Sequence, residues 1–473
     1  MVGARGWIVA AALAGCADDP RAVVPVIDLP VGDADATAAP LDEITLTVAH
    51  AGNERDLVSQ TFAQGEPLEM AGVPFGDDLV IHMAGYVGAS NIAYGRSCAF
   101  AVTPTGRTRT PHLFFSRSVK FADLGVLPLA RTGGLGIAYR GAALLVGGSD
   151  GDQAQQTVEM FDPMTGGLAP LGLVSARKQA VHAQVGTSPP RVAVIGGMAG
   201  GDGARFIEVI DGQRIDRLDF VEMARVDLTA TSLTDGRVIV IGGNAPGALP
   251  SKEIDEIAEN GASFEVRKLA AHLSIERSGH SATRLGEDVG APVLIAGGVD
   301  ATGAPIAVAE LFKPLSAELA DPTKFAPKML VPRRGHVATL MPDGSVLMIG
   351  GVDAAGQPVR TLESFSVDAG FSWAGDLPIA AGVIDVAATT LPDGRILLTG
   401  GRLTPSAAPL DSAYIVRLNP ADGSVDVVAT DRLAVGRAGH QAVPLCDGTV
   451  LISGGVVGQL PAERYNPPPL GRR

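Results

Sequence analysis

The sequence predicts an all-β chain: a seven-bladed β-propeller preceded by a small β-sandwich module. Three observations predict it. Seven double glycines each close a short β-branched or aliphatic run: LLVGG at Gly147-Gly148, AVIGG at Gly196-Gly197, VIVIGG at Gly242-Gly243, LIAGG at Gly297-Gly298, LMIGG at Gly350-Gly351, LLTGG at Gly400-Gly401 and LISGG at Gly454-Gly455. Their first glycines stand 46 to 55 residues apart, the period of a four-stranded propeller blade. Four units carry Asp-Gly before the run (Asp235-Gly236, Asp343-Gly344, Asp393-Gly394, Asp447-Gly448). That dipeptide between β-rich runs is a hairpin signal, since both central residues tolerate positive φ.

Composition agrees and excludes other classes. The chain has 473 residues, 60 Gly, 33 Pro and 46% hydrophobic residues, which suits turns and a large core and opposes a helical bundle. A net charge of −14 argues against nucleic acid as a partner, because phosphate binding needs clustered cations. Three cysteines cannot build a disulfide scaffold.

Residues 1–16 read as an export signal: Arg5 gives a positive start, Gly6 to Ala12 an apolar stretch, and Leu13-Ala14-Gly15-Cys16 follows. Leu three residues before Cys, with two small residues between, resembles the bacterial lipobox. That resemblance implies lipidation at Cys16 and a lipoprotein attached to the membrane through its anchor. The alternative is an ordinary secretion signal with an incidental Cys. Nothing downstream approaches 18 consecutive apolar residues. Residues 17–40, rich in Pro, Ala and Asp, are expected to form a flexible tether. Ala17 after the Cys points to the outer membrane, with the body facing the periplasm or the cell surface.

Residues 41–118 lie outside the repeat. Ile44, Leu46 and Val48 alternate with polar neighbours, as do Leu79, Ile81 and Met83, which predicts strands. The segment resembles a small immunoglobulin-like or transthyretin-like sandwich, which implies a spacer or docking module. Cys98 in this module and Cys446 in the seventh blade either pair in an oxidising envelope or remain two buried thiols.

Residues 119–467 form the propeller. Each unit runs from an apolar alternation through a turn into the double glycine, then through a loop to a third and a weaker fourth strand. One such sheet cannot bury both faces, and radial stacking solves that. The last unit stops after its third strand. The segment Val119–Leu129 is expected to close it as the outer strand.

An arginine stands 16 to 20 residues before six of the double glycines: Arg131, Arg177, Arg225, Arg277, Arg333 and Arg437. A glutamate stands in the third strand: Glu159, Glu208, Glu256, Glu310, Glu363 and Glu463. The sixth unit has Val383 and, aligned by sequence, Val416. Joint absence favours an Arg–Glu pair within each blade over an arginine ring gripping an anion, and Glu310 is expected to couple to Arg333. His280, His336 and His440 complete R-x-G-H in three blades; hydrogen-bonded strand histidines explain them better than a metal does. The acidic loops Ser149-Asp150-Gly151-Asp152 and Gly200-Gly201-Asp202 lack a bidentate Glu for calcium.

The double glycine, the stretch Glu159-Met160-Phe161-Asp162-Pro163 and the three R-x-G-H runs together resemble the kelch repeat over residues 120 to 467. The chain departs from it in lacking the tryptophan of the fourth strand; only Trp373 stands near. The resemblance admits enzymes and binding platforms alike. A galactose-oxidase-like copper site implies a Cys–Tyr cross-link and a Tyr-His step, yet none of Tyr86, Tyr94, Tyr139, Tyr414 and Tyr465 precedes a histidine. The expectation is therefore a monomeric, non-catalytic envelope lipoprotein with no catalytic residues, cofactor or metal. Its propeller would bind a protein or glycan on the face of the loops that follow the double glycines. The alternative is a carbohydrate-active propeller enzyme like a sugar-acid mutarotase, which a converging Asp, Glu or His cluster at the channel mouth would favour.

Overall fold

The computed structural model describes residues 22–30, 40–52, 55–104 and 110–468, apart from 127, 152, 200, 221–223, 262, 380, 420 and 457. Cys16 lies outside the described residues. Among those described every regular element is a strand, and no helix is long and apolar enough to cross a membrane.

Among the described residues seven blades follow one another as the repeat predicts. Blade one holds the strands Leu135–Tyr139, Ala142–Val146, Thr157–Asp162 and Gly167–Leu173 in that order from the inside outwards. Blade two runs from Val181–Val185 to Arg214–Asp219 in the same order. Blades five and six start at Val337–Leu340 and Ala387–Thr390. Blades three and four differ. The 22-residue strand Ser263–Arg284 is the outer strand of blade three and continues as the inner strand of blade four, so the two sheets are hydrogen-bonded into one of seven strands.

Blade seven supplies Gln441–Pro444, Val450–Ser453 and Glu463–Asn466, and Lys120–Asp123 pairs with the last of these. The expected closure is present. Phe121 packs on Tyr465 at 4.9 Å between ring centroids, and Lys120 pairs with Asp431 at 2.9 Å.

The second strand of each blade is buried on both faces, which is why those runs read as continuous aliphatics rather than alternations. Successive side chains then feed opposite interfaces. In blade three, Val238 and Val240 pack towards blade two while Ile239 and Ile241 pack towards blade four. Seven apolar clusters result, one at each interface, including that of blades seven and one. The ring is closed by packing as well as by hydrogen bonds. Trp373 is 59% exposed and takes no part in it; Leu, Val, Ile and Phe do the work of the missing tryptophans.

The N-terminal module is a six-stranded sheet built on Glu43–His50, Asp56–Ala63, Gly76–Val87 and Ser90–Arg96. A two-stranded parallel pair, Val26–Asp28 with His112–Phe114, shares its core. This corrects the tether. Val23, Ile27 and Leu29 pack with the module, and Val23 bonds to Met70 at 2.8 and 2.9 Å, so residues 22–30 belong to the module. Apolar residues between prolines were enough to form an edge.

Cys98 and Cys446 are joined in a disulfide with Cα atoms 5.0 Å apart, which settles the two readings in favour of pairing. Around it Arg96 donates to the Cys446 carbonyl at 2.8 Å, and Asn466 donates to the carbonyls of Tyr94 and Ser116 at 2.6 and 3.0 Å. The fully buried Arg464 pairs with Asp447 and lies 4.4 Å over the Phe114 ring. The module therefore rests on the face of the Asp-Gly turns, against blade seven.

Candidate active site

The arginines and glutamates come together as pairs within blades. Arg131–Glu159 (2.5 Å), Arg177–Glu208, Arg277–Glu310 (2.6 Å), Arg333–Glu363 and Arg437–Glu463 (2.9 Å) are buried. Each arginine also donates to the carbonyl of its first double glycine, and each glutamate accepts a backbone N–H from the incoming loop. They fasten loop, second strand and third strand together and leave no guanidinium for a ligand.

Two residues are corrected by register. The carboxylate stands opposite the residue two before the double glycine: Glu159 opposite Leu145, Glu208 opposite Val194, Glu310 opposite Ile295. In blade three that place belongs to Asp255, opposite Val240, and it pairs with Arg225. Glu256 points the other way and pairs with Arg237 and Arg267. In blade six the place belongs to Tyr414, opposite Leu398, rather than Val416. Glu310 and Arg333, expected to couple, belong to different pairs.

The three R-x-G-H histidines are buried wedges. Nε2 of His280, His336 and His440 meets the hydroxyls of Thr229, Ser281 and Thr399 at 3.0, 2.9 and 2.7 Å. Each ring lies against the first double glycine of the preceding blade, where an added Cβ would come within 3 Å. Burial lowers all three pKa values, to about 3 for His336 and His440. They act as neutral joints between blades.

The channel mouth beside the double glycines is different. Two residues after the arginine position every blade adopts a left-handed backbone: Gly133, Gln179, Asp227, Gly279, Gly335, Asp385 and Gly439, with φ from 51° to 65°. The four glycines are the natural occupants. Each donates its N–H to the residue of the preceding blade: Gly279 to Asp227, Gly335 to Gly279, Gly439 to Asp385 and Gly133 to Gly439, at 2.8 to 3.0 Å. Gln179, Asp227 and Asp385 make no such bond. The collar is therefore interrupted where a polar side chain replaces glycine, in a conformation that an L-residue adopts at a cost.

All three side chains are exposed, and the two aspartates lie near cations. Asp385 lies 3.1 Å from Arg402. Partial desolvation of its carboxyl by the surrounding loops raises the Asp227 pKa, opposed by the positive charge of Arg334. Lower in the channel, His182 occupies the inner strand of blade two where the other blades have Gly136, Ala230, Ala282, Ala338, Ala388 and Ala442. Neither ring nitrogen of His182 has a hydrogen bond, and burial lowers its pKa to about 4. Aligning the repeats on the arginine would have exposed all four exceptions; a search for motifs passes them by.

No protein-family model matches the chain, and no curated protein matches it. Solved structures do. A fungal alcohol oxidase of the AA5 family, in complex with copper, is 14% identical with a TM-score of 0.53, covering 74% of this chain and 76% of its own. The structure of YjhT is 14% identical with a TM-score of 0.45, covering 61% of this chain and 93% of its own. What the chain shares with the oxidase is the fold, a β-propeller.

The comparison corrects one expectation. The oxidase is a catalyst on this architecture, so the fold gives no ground for reading the chain as a non-enzyme. Its copper does not carry over. Cys446 is in the disulfide, the three wedge histidines are spent on hydroxyls, and among the described residues no three His, Cys, Asp or Glu side chains cluster to hold a metal.

Proposed function

We propose that the chain is a carbohydrate-active propeller enzyme that interconverts the anomers of sugar acids. Asp227 is the observation that carries this reading: a carboxyl with raised pKa, at a left-handed position in the channel mouth, near a cation. Ring opening needs a proton delivered to the ring oxygen and one withdrawn from the anomeric hydroxyl, whereupon the C1–O bond breaks to give an open carbonyl form. Closure on the other carbonyl face reverses both transfers. A carboxyl that keeps its proton to higher pH than an ordinary aspartate suits the first step. Arg334 is the cation for the substrate carboxylate, and Asp385, paired with Arg402, is a second carboxylate at the same collar position in blade six.

The double glycines, the R-x-G-H runs and the closed ring support a propeller of kelch type. Lipidation at Cys16 would hold it at the bacterial envelope, with outer-membrane placement following from Ala17. The module lies on the Asp-Gly-turn face, so a tether leaving it would set the collar of Asp227 away from the membrane.

The test is anomer exchange of galacturonate followed by NMR. Wild type should accelerate the interconversion. Asp227→Asn should lose about a hundredfold or more, within the range of a lost acid–base group. Arg334→Met should chiefly raise the half-saturating concentration. Exchange unchanged by wild-type protein across uronic and ulosonic acids would reject the reading.

A further inference from the structure

We propose that the opposite mouth of the channel, on the face of the Asp-Gly turns, is a separate binding site for an uncharged polyhydroxyl ligand, a segment of neutral glycan.

A cavity of about 560 Å³ opens there, lined from blade two by Gln184 and Thr187, from blade three by Ser232 and Thr234, and from blade four by Arg284 and Glu287. Leu340 of blade five completes the wall, so the cavity lies over the inner strands of four adjacent blades. Its size lies within the roughly 300–1,000 Å³ of small-molecule sites. One departure from the repeat helps to build it. The loop between the first two strands is Leu285 to Pro292 in blade four, three residues longer than Gly186 to Pro190 in blade two and Leu233 to Arg237 in blade three. The long loop of blade four brings Glu287 to the wall. The module rests near the turns of blades six, seven and one, and none of its residues lines this cavity.

The chemistry of the lining selects the ligand. Arg284 spends its donors within the protein: Nε on the Gly286 carbonyl at 2.8 Å, Nη1 on the Ser232 carbonyl at 3.0 Å, and Nη2 on Glu287. It braces the wall and its charge is matched, so an anion gains little. The Ser232 hydroxyl accepts from the Gln184 backbone at 2.8 Å and keeps its own proton to give. The Gln184 amide makes only a long contact with the Ala138 carbonyl at 3.4 Å. Thr187 adds another hydroxyl, and Leu233, Leu340 and Pro190 offer apolar surface to C–H faces. Neutral donors and acceptors beside small apolar patches, with no aromatic platform, fit a sugar chain held weakly by hydrogen bonds.

The test uses full-length protein titrated separately with maltotetraose, cellotetraose and N-acetylchitotetraose, read by calorimetry and by NMR. At least one should bind, with affinity unchanged by added salt, since no ion pair is made. Gln184→Trp, which fills the mouth from an exposed position, should weaken binding about tenfold or more, equivalent to 1.4 kcal/mol. Ser232→Ala should weaken it less. Asp227→Asn should bind as wild type does, which separates this site from the proposed enzyme site. Failure of all three saccharides, loss of binding in salt, or equal binding by Gln184→Trp would overturn the proposal.

Discussion

At the residue scale, blade six is a natural experiment. Where five blades bury Arg against Glu and one buries Arg against Asp, blade six places Val383 beside Tyr414 in the apolar cluster it shares with blade five. A buried ion pair and a well-packed apolar pair are often interchangeable, whereas half a pair leaves an unmatched charge. Arg333→Val should therefore cost about 3–5 kcal/mol, and so should Glu363→Tyr. The double variant should recover much of that loss in chemical denaturation. Glu310→Ala and Arg333→Ala should instead add, because they break different pairs. The pairing was legible in the repeat, but which carboxylate takes part was not. Strand register decides between Asp255 and Glu256, and a one-residue shift reverses the face. The wedge histidines give a pH prediction. Their folded pKa values lie below the unfolded value, so the unfolded chain binds more protons as pH falls. Stability should be full above about pH 6.5 and fall towards pH 3, by about 1.4 kcal/mol per unit for each histidine. His336→Gln should flatten the slope of melting temperature against pH over that window.

At the scale of elements, the collar and the hairpin turns show what a repeat hides. Glycine at the third place of R-x-G-H is easily read in three blades. The same left-handed position in blades two, three and six is filled by Gln179, Asp227 and Asp385, which carry no compositional mark. Such residues are strained in the way functional sites are. Gln179→Gly should therefore stabilise the protein by about 1 kcal/mol. Asp227→Gly should stabilise it similarly while abolishing anomer exchange, measured on the same samples by calorimetry and NMR. A loss of stability in both would show that the side chains, and not the backbone, hold the collar. The Asp-Gly turns were legible in four blades. What was not legible was that the loops of blades two, three and four would line one cavity, because loop length in sequence does not say which loops become neighbours.

For the whole molecule, the issue is how a ring of seven sheets stays shut. Blade seven draws its outer strand from residues before blade one, so closure depends on holding Lys120–Asp123 against Glu463–Asn466. The module joins the same place. Its strand Ser116–Arg117 leads straight into the closing strand, Asn466 bonds back to Tyr94 and Ser116, and Cys98 is tied to Cys446 across 348 residues. A cross-link that spans so much chain restricts the unfolded state strongly, up to about 5 kcal/mol in the chain-entropy view. The same bond also fixes the one blade made of two chain segments. Cys446→Ser should therefore act locally before it acts globally. Hydrogen exchange should rise first in Lys120–Asp123, Glu463–Asn466 and the module strands that meet them, while the second strands of blades two to five stay protected. A uniform rise across all seven blades would mean that the ring unfolds as one unit and that the disulfide contributes only through the unfolded chain. Protection lost first in the module core, with blade seven intact, would mean that the module is the weaker partner and that the hydrogen bonds and packing of the ring suffice to close it.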